Sequence, residues 1–101
     1  MKNTLKNKAV IDNLFATGKS VSDKIVMLKF VDSTETKFLF AVSSKKFKRA
    51  VDRNRIKRLM RESASKVSII GKNVAFVYRG DGIPTFSEIN KSITKLTSCL
   101  D

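Results

Sequence analysis

The sequence predicts an α+β sandwich in which helices pack on a small sheet, and three observations carry that prediction. Apolar residues recur at helical spacing near both ends of the chain. Between them lie short runs rich in β-branched and aromatic residues, and a long basic segment in the middle keeps helical periodicity. The 101 residues fit one domain spanning 1–101, and an apolar fraction of 42% supplies a modest core. No internal repeat, low-complexity tract or Pro/Gly/Ser linker divides the chain, and the single proline, Pro84, falls in a loop.

The first helix is expected over about Asn7 to Thr17. Val10 and Leu14 are one turn apart, as are Ile11 and Phe15, which makes a wide apolar stripe. Gly18 suits the left-handed residue that ends a helix. Ile25 to Val31 reads as a strand with two apolar faces. Val26, Leu28 and Phe30 point one way; Ile25, Met27, Lys29 and Val31 point the other. Such a strand lies inside the protein or has its second face covered by a helix or a ligand. A polar turn follows from Asp32, then a strand over Phe38–Ser43, and so short a connection favours an antiparallel hairpin.

A basic loop leads into a helix from about Arg49 to Val67, and Gly71 closes that region. Asn73 to Arg79 alternates Val74, Phe76 and Tyr78 with Ala75 and Val77, a further strand with Tyr78 in the core or at the sheet edge. After the loop that begins Arg79-Gly-Asp-Gly, Thr85 and Glu88 form a capping box for a last helix. Ile89, Ile93, Leu96 and Leu100 line its buried face. Cys99, late in that helix, is expected to be a small packing residue rather than a nucleophile, since no cationic base partner is evident.

Charge narrows the function. The chain has 21 Lys plus Arg against 9 Asp plus Glu, formally +12. An anionic partner relieves such self-repulsion, with nucleic acid the first candidate and an acidic membrane surface the second. No stretch is apolar enough to span a bilayer, and Lys2 is not followed by a signal-peptide core. A lone cysteine with no export signal fits a reducing cytoplasm. There is no His, and the carboxylates from Asp12 to Asp101 are scattered singly. The chain therefore lacks the usual general base and the usual zinc ligand, so neither a catalytic residue nor a metal site of its own is expected.

The strongest signal is the run Lys45-Lys46-Phe47-Lys48-Arg49-Ala50-Val51-Asp52-Arg53-Asn54-Arg55-Ile56-Lys57-Arg58-Leu59-Met60-Arg61-Glu62. From Lys45 to Arg61 it holds nine basic residues and one acid, Asp52. On a helix, Ile56, Leu59, Met60 and Val67 fall on one face. Asn54, Lys57, Arg58 and Arg61 fall on the opposite side, with Arg53 and Arg55 on the two edges. Only Glu62, one turn after Arg58, is placed to pair with a cation. A helix built merely for solubility would intersperse Glu, so the clustering points to phosphate. Arginine's planar fork suits that partner, and Asn54 is suited to a base edge or a ribose hydroxyl.

The stretch Ala50–Glu62, with its Arg53-Asn54-Arg55 triplet, closely resembles the signature of bacterial ribonuclease P proteins, and Ser43-Ser44-Lys45-Lys46 resembles the strand end and loop before it. The order of elements is similar over essentially the whole chain. The resemblance implies a mixed four-stranded sheet in the order α-β-β-β-α-β-α, with a left-handed βαβ crossover against the usual preference. It implies an RNA-binding subunit of an endoribonuclease that removes the 5′ leader of precursor tRNA. Catalysis, with its magnesium, then belongs to the RNA subunit, and the protein binds no cofactor itself. The implied partners are the ribonuclease P catalytic RNA and precursor tRNA, with neither membrane nor DNA among them.

Carried over by position, the resemblance assigns RNA contacts to Arg49, Arg53, Asn54, Arg55, Lys57, Arg58 and Arg61, extended along the loop by Lys45, Lys46 and Lys48. It assigns Ile11, Phe15, Met27 and Lys29 to a cleft that holds the single-stranded leader. Ile11 and Lys29 stand where relatives often have aromatics, which points to charge and apolar contact rather than stacking. Lys48 stands where relatives often have Gly. Core packing is the competing role for the cleft residues, Phe15 above all. The competing functions are a ribosomal or other structural RNA-binding protein, and a DNA-binding regulator. The regulator would need a helix-turn-helix pair that the sequence does not supply.

Overall fold

A computed structural model of the protein describes residues 8–98. Its elements are α1 (Lys8–Thr17), β1 (Lys19–Ser22), β2 (Val26–Asp32), β3 (Lys37–Val42), α2 (Ala50–Ala64), β4 (Lys72–Tyr78) and α3 (Phe86–Thr97). The order is the expected α-β-β-β-α-β-α. Asn7, Cys99 and Leu100 lie outside the described residues. No helix among those described is long and apolar enough to cross a membrane.

The four strands form one mixed sheet in the order β1-β2-β4-β3. β1 and β4 both run antiparallel to β2, while β3 and β4 are parallel and joined through α2. The hairpin expected between the second and third strands does not form, because β4 lies between them. Val74, Ala75, Phe76 and Tyr78 make β4 apolar on both faces, and only a central position buries both. The connection from β2 to β3 instead arches over the start of β4. There the Ser33 N–H donates to the Gly71 carbonyl and the Gly71 N–H donates to Thr36 Oγ1, each at 2.8 Å. Gly71, at φ 73°, makes the turn that a side chain would strain.

β1 carries a single apolar residue, Val21, so its hydrophobic pattern alone does not mark it as a strand. It is formed by pairing with β2 through a turn held by Asp23, whose Oδ1 accepts from the N–H groups of Ile25 and Val26 at 2.9 and 3.0 Å. Burial acts to raise the Asp23 carboxyl. The amides of Val26 and Ile25, with Ser92 and Lys95 beyond them, outweigh it and hold the group below its usual range.

One face of the sheet carries most of the core. Val26, Leu28, Phe38, Phe40, Val74, Phe76 and Tyr78 meet Ile56 and Met60 of α2 and Ile89, Ile93 and Leu96 of α3. Thr85 and Glu88 form the expected capping box of α3. α2 stops at Ala64, and Val67 packs on the core from the turn beyond it. Among the described residues, the other face is covered by α1 alone, through a small cluster of Leu14 and Ala75 with Val10, Ile11, Val31 and Leu39 around them. The two-faced character of the second strand thus reflects two unequal layers of cover.

Gly18 is needed for a different reason from the expected one. It is not in the left-handed region, which among the glycines only Gly71 occupies. A Cβ at Gly18 would meet the Leu14 carbonyl oxygen at 2.3 Å and the Phe30 carbonyl at 3.2 Å. The glycine permits close approach where α1 turns directly into β1, and its N–H donates to Leu14 O at 2.9 Å.

Candidate nucleic-acid interface

α2 divides into two faces as its sequence requires. Ile56, Met60 and Ser63 are fully buried, Ala64 nearly so, and Leu59 is half-buried at the margin. The Ser63 hydroxyl donates to Asn90 Oδ1 at 3.0 Å and ties α2 to α3. On the solvent side Asn54, Arg55, Arg58 and Arg61 are exposed and Lys57 is half-buried. The Arg61 guanidinium lies 5.6 Å from the centre of the Phe40 ring, which orients it along the helix edge. Val51, Asp52, Asn54, Arg55 and Arg58 border a shallow hollow on this face.

The expected pairing of Glu62 with Arg58 is absent. The ion pairs among the described residues are Lys37–Glu35, Lys46–Asp81 and Lys72–Asp32, none of which involves α2. An exposed helical pair of this kind is worth only a few tenths of a kcal/mol, roughly 0.3–0.5, too little to hold two long side chains together. Among the described residues, no cation of α2 has an ion-pair partner.

The loop of residues 43–49 before α2 is built rather than slack. The Ser43 hydroxyl accepts from the N–H groups of Lys45 and Lys46, and the Ser43 carbonyl accepts from Phe47 N–H. Phe47 is buried, its ring 5.8 Å from that of Tyr78. Arg53 reaches back from the first turn of α2 and donates through Nη1 to the carbonyls of Phe47 and Lys48 at 2.8 and 3.0 Å. Lys46 Nζ donates to the Arg79 carbonyl and pairs with Asp81, both at 3.0 Å. Lys45, Lys48 and Arg49 remain exposed, with Arg49 as the N-cap residue of α2. Lys48 holds an ordinary backbone, with no non-glycine residue at positive φ among those described.

The ten basic and polar residues expected to meet RNA all lie on the loop and α2, and two of them, Arg53 and Lys46, are engaged by main-chain carbonyls of this chain. Phe47 and the segment from Arg79 to Asp81 went unrecognised in the sequence. The parallel pairing of β3 and β4 ends with Val42 beside Tyr78, which brings the two following loops together. No local pattern reports that pairing.

The four cleft residues lie on the opposite, thinly covered face. Phe15 is exposed, at 36%, so it is not a core residue, while Ile11, Met27 and Lys29 are half-buried. Strand register places Met27 in a cross-sheet row with Ser22, Val77 and Ala41, and Lys29 in the next row with Ser20, Ala75 and Leu39. Lys29 Nζ donates to the Phe15 carbonyl at 3.1 Å, in the last turn of α1, where a cation also meets the negative end of the helix dipole. Among the described residues, no group of three or more acidic or sulfur side chains is placed to hold a metal ion.

Comparison with known proteins bears on the family and the fold. The ribonuclease P family model matches residues 1–101. The ribonuclease P protein component of Chlorobium phaeobacteroides is 35% identical over 100 residues, and the match takes in 91% of this chain but 66% of that protein's length. The ribonuclease P protein of Thermotoga maritima superposes with a TM-score of 0.85 at 18% identity, over 97% of both chains. That of Staphylococcus aureus gives 0.81 at 22% identity, covering 98% of this chain and 95% of its own. At such identities the two structures establish the shared fold alone.

Proposed function

The chain belongs to the ribonuclease P family, and from that premise we propose that it is the RNA-binding protein subunit of a ribonuclease P. It binds a catalytic RNA and the 5′ leader of precursor tRNA, and so promotes the cut that makes the mature 5′ end. The hydrolysis and its magnesium belong to the RNA, and the complex works in the cytoplasm. The observation that carries the reading is the exposed set Asn54, Arg55, Arg58 and Arg61 on a helix whose other face is locked into the core. Beside it, Lys45, Lys48 and Arg49 extend the charge along a braced loop.

An array of cations without an ion-pair partner among the described residues suits a phosphate backbone, which rewards charges already in place. The face under α1 supports the second half of the reading. It is broad, half-apolar and edged by an exposed aromatic, and it fits a single strand better than a duplex. A ribosomal or structural RNA-binding role is not favoured, because the family match runs through the whole chain. Reconstitution tests the proposal. The purified protein is mixed with a bacterial ribonuclease P RNA and labelled precursor tRNA at low magnesium. Faster 5′ cleavage is expected with the protein than without it, and equal rates would overturn the reading.

A further inference from the structure

Arg53 is the first residue of the Arg-Asn-Arg triplet, and it differs from the other cations of α2 in what it touches. Arg55, Arg58 and Arg61 are exposed, whereas Arg53 is half-buried and turned toward its own chain. Its Nη1 carries two hydrogens, and the two carbonyls that it meets, Phe47 O and Lys48 O, belong to the segment bearing Lys45, Lys46, Lys48 and Arg49.

These bonds complete a set of restraints. Ser43 folds the first half of the loop through the amides of Lys45, Lys46 and Phe47. Phe47 anchors the middle in the core, and Lys46 fastens it to the neighbouring segment at Arg79 and Asp81. Between Phe47 and the first turn of α2, the carbonyls of Phe47 and Lys48 both accept from Arg53. Arg53 occupies that position and joins the loop to the helix.

We propose that Arg53 is a positioning residue. Its guanidinium clamps the loop to α2, so that Lys45 and Lys48 stand at fixed spacing from Asn54 and Arg58, and it serves RNA binding through them rather than through a phosphate of its own. The proposal rests on the RNA-binding reading above and changes the role of one residue within it. A free loop would have to be ordered when RNA arrives, and that ordering cost is removed in advance by the clamp.

Two measurements on the full-length protein test this. In the protein alone, Arg53→Ala is expected to raise amide exchange at Lys45, Lys46 and Phe47 about tenfold or more, while β4 amides keep their protection. Unchanged exchange in the loop would overturn the clamp. The second measurement is a double-mutant cycle on affinity for a bacterial ribonuclease P RNA. The loss from Arg53→Ala should shrink to near zero when Lys45→Ala and Lys48→Ala are already present. With Arg61→Ala, which lies two turns further along the helix, it should stay fully additive. A role in stability alone would make both combinations additive, and so would a direct phosphate contact, so additivity with the loop lysines overturns the proposal and leaves the RNA-binding reading standing. If Lys45→Ala with Lys48→Ala leaves affinity unchanged, the loop is not at the RNA surface, and the proposal falls together with that part of the reading.

Discussion

α1 and α2 lie on opposite faces of the same sheet, yet they are held in very different ways. α2 sets Ile56 and Met60 into the large core, is tied to α3 through Ser63 and Asn90, and is braced at its start by Arg53. α1 is ten residues long and buries only Leu14 completely, in a cluster with Ala75. Val10 and Ile11 pack around that cluster, and further ties are the close turn at Gly18 and the Lys29 ammonium on the Phe15 carbonyl. On the function proposed above, the difference would suit two tasks. A folded RNA presents phosphates at set positions and favours a rigid array, whereas a single strand favours a surface whose edge is lightly held.

The largest effects should come from the two anchors themselves. Ile56→Ala removes a fully buried side chain from the main core and should cost about 2–5 kcal/mol, lowering the melting temperature by roughly 10 °C or more. Protection across β4 and α3 should fall together. Leu59→Ala, at the half-buried margin, should cost about 1–2 kcal/mol. Leu14→Ala is expected to release amide exchange in α1 while β4 keeps most of its protection. If Leu14→Ala and Ile56→Ala loosen the whole domain alike, the contrast between the helices does not hold.

Gly18→Ala sharpens the same contrast from the backbone. The new methyl would press on the Leu14 and Phe30 carbonyls, which cannot rotate away as a side chain would. A cost of about 1–3 kcal/mol is expected, concentrated at the α1–β1 junction. A thermal melt equal to that of the parent protein would mean that α1 is free to shift, and the junction would not be a restraint.

Gly18 also shows where sequence reasoning reached the right residue by the wrong route. Glycine after an apolar helix reads as a left-handed cap, but here it is required by close approach of the Leu14 carbonyl at the sharp turn out of α1, with the Phe30 carbonyl of β2 closing the other side. The three helices were readable because their periodicity is local, as with Ile89, Ile93 and Leu96 or the Thr85–Glu88 box. Strand pairing was not, since β4 enters between β2 and β3 from forty residues further along the chain. The candidate interface divides in the same way. Which cations lie on one face of α2 follows from helical spacing. That Lys46 meets the Arg79 carbonyl and Lys29 the Phe15 carbonyl depends on segments that only the folded sheet brings together, and that Arg53 turns back onto its own loop depends on how that loop is folded.

On α2, single cations should carry similar, modest shares of binding. Arg58→Ala and Arg61→Ala are each expected to weaken affinity for the catalytic RNA without moving the melting temperature by more than a degree or two. Each should reduce the slope of log affinity against log salt by roughly one contact. Arg61 is slightly less clean, since it also covers Phe40. An unaltered slope for both would take this face of α2 out of the RNA interface.

The smallest expected change, and the most selective, is at Phe15. Its ring is exposed at the edge of the thinly covered face, so Phe15→Ala removes little core and should leave the melting temperature nearly unchanged. Stacking of a base on an aromatic ring is worth about 1–3 kcal/mol. The flanking positions are Ile11 and Lys29 rather than further aromatics, so a value near the low end, about fivefold to tenfold in affinity, is expected. That loss should fall on precursor tRNA carrying a leader and spare both mature tRNA and the catalytic RNA. Lys29→Ala is a poorer probe of the same cleft, because it also frees the carbonyl that its ammonium now holds at the end of α1. Part of its effect would be a loosened helix. Phe15 therefore decides the matter: a lower melting temperature with an unchanged precursor-to-mature ratio would return it to the core. A lower ratio at constant stability would place the leader beneath α1, on the face that α2 never touches.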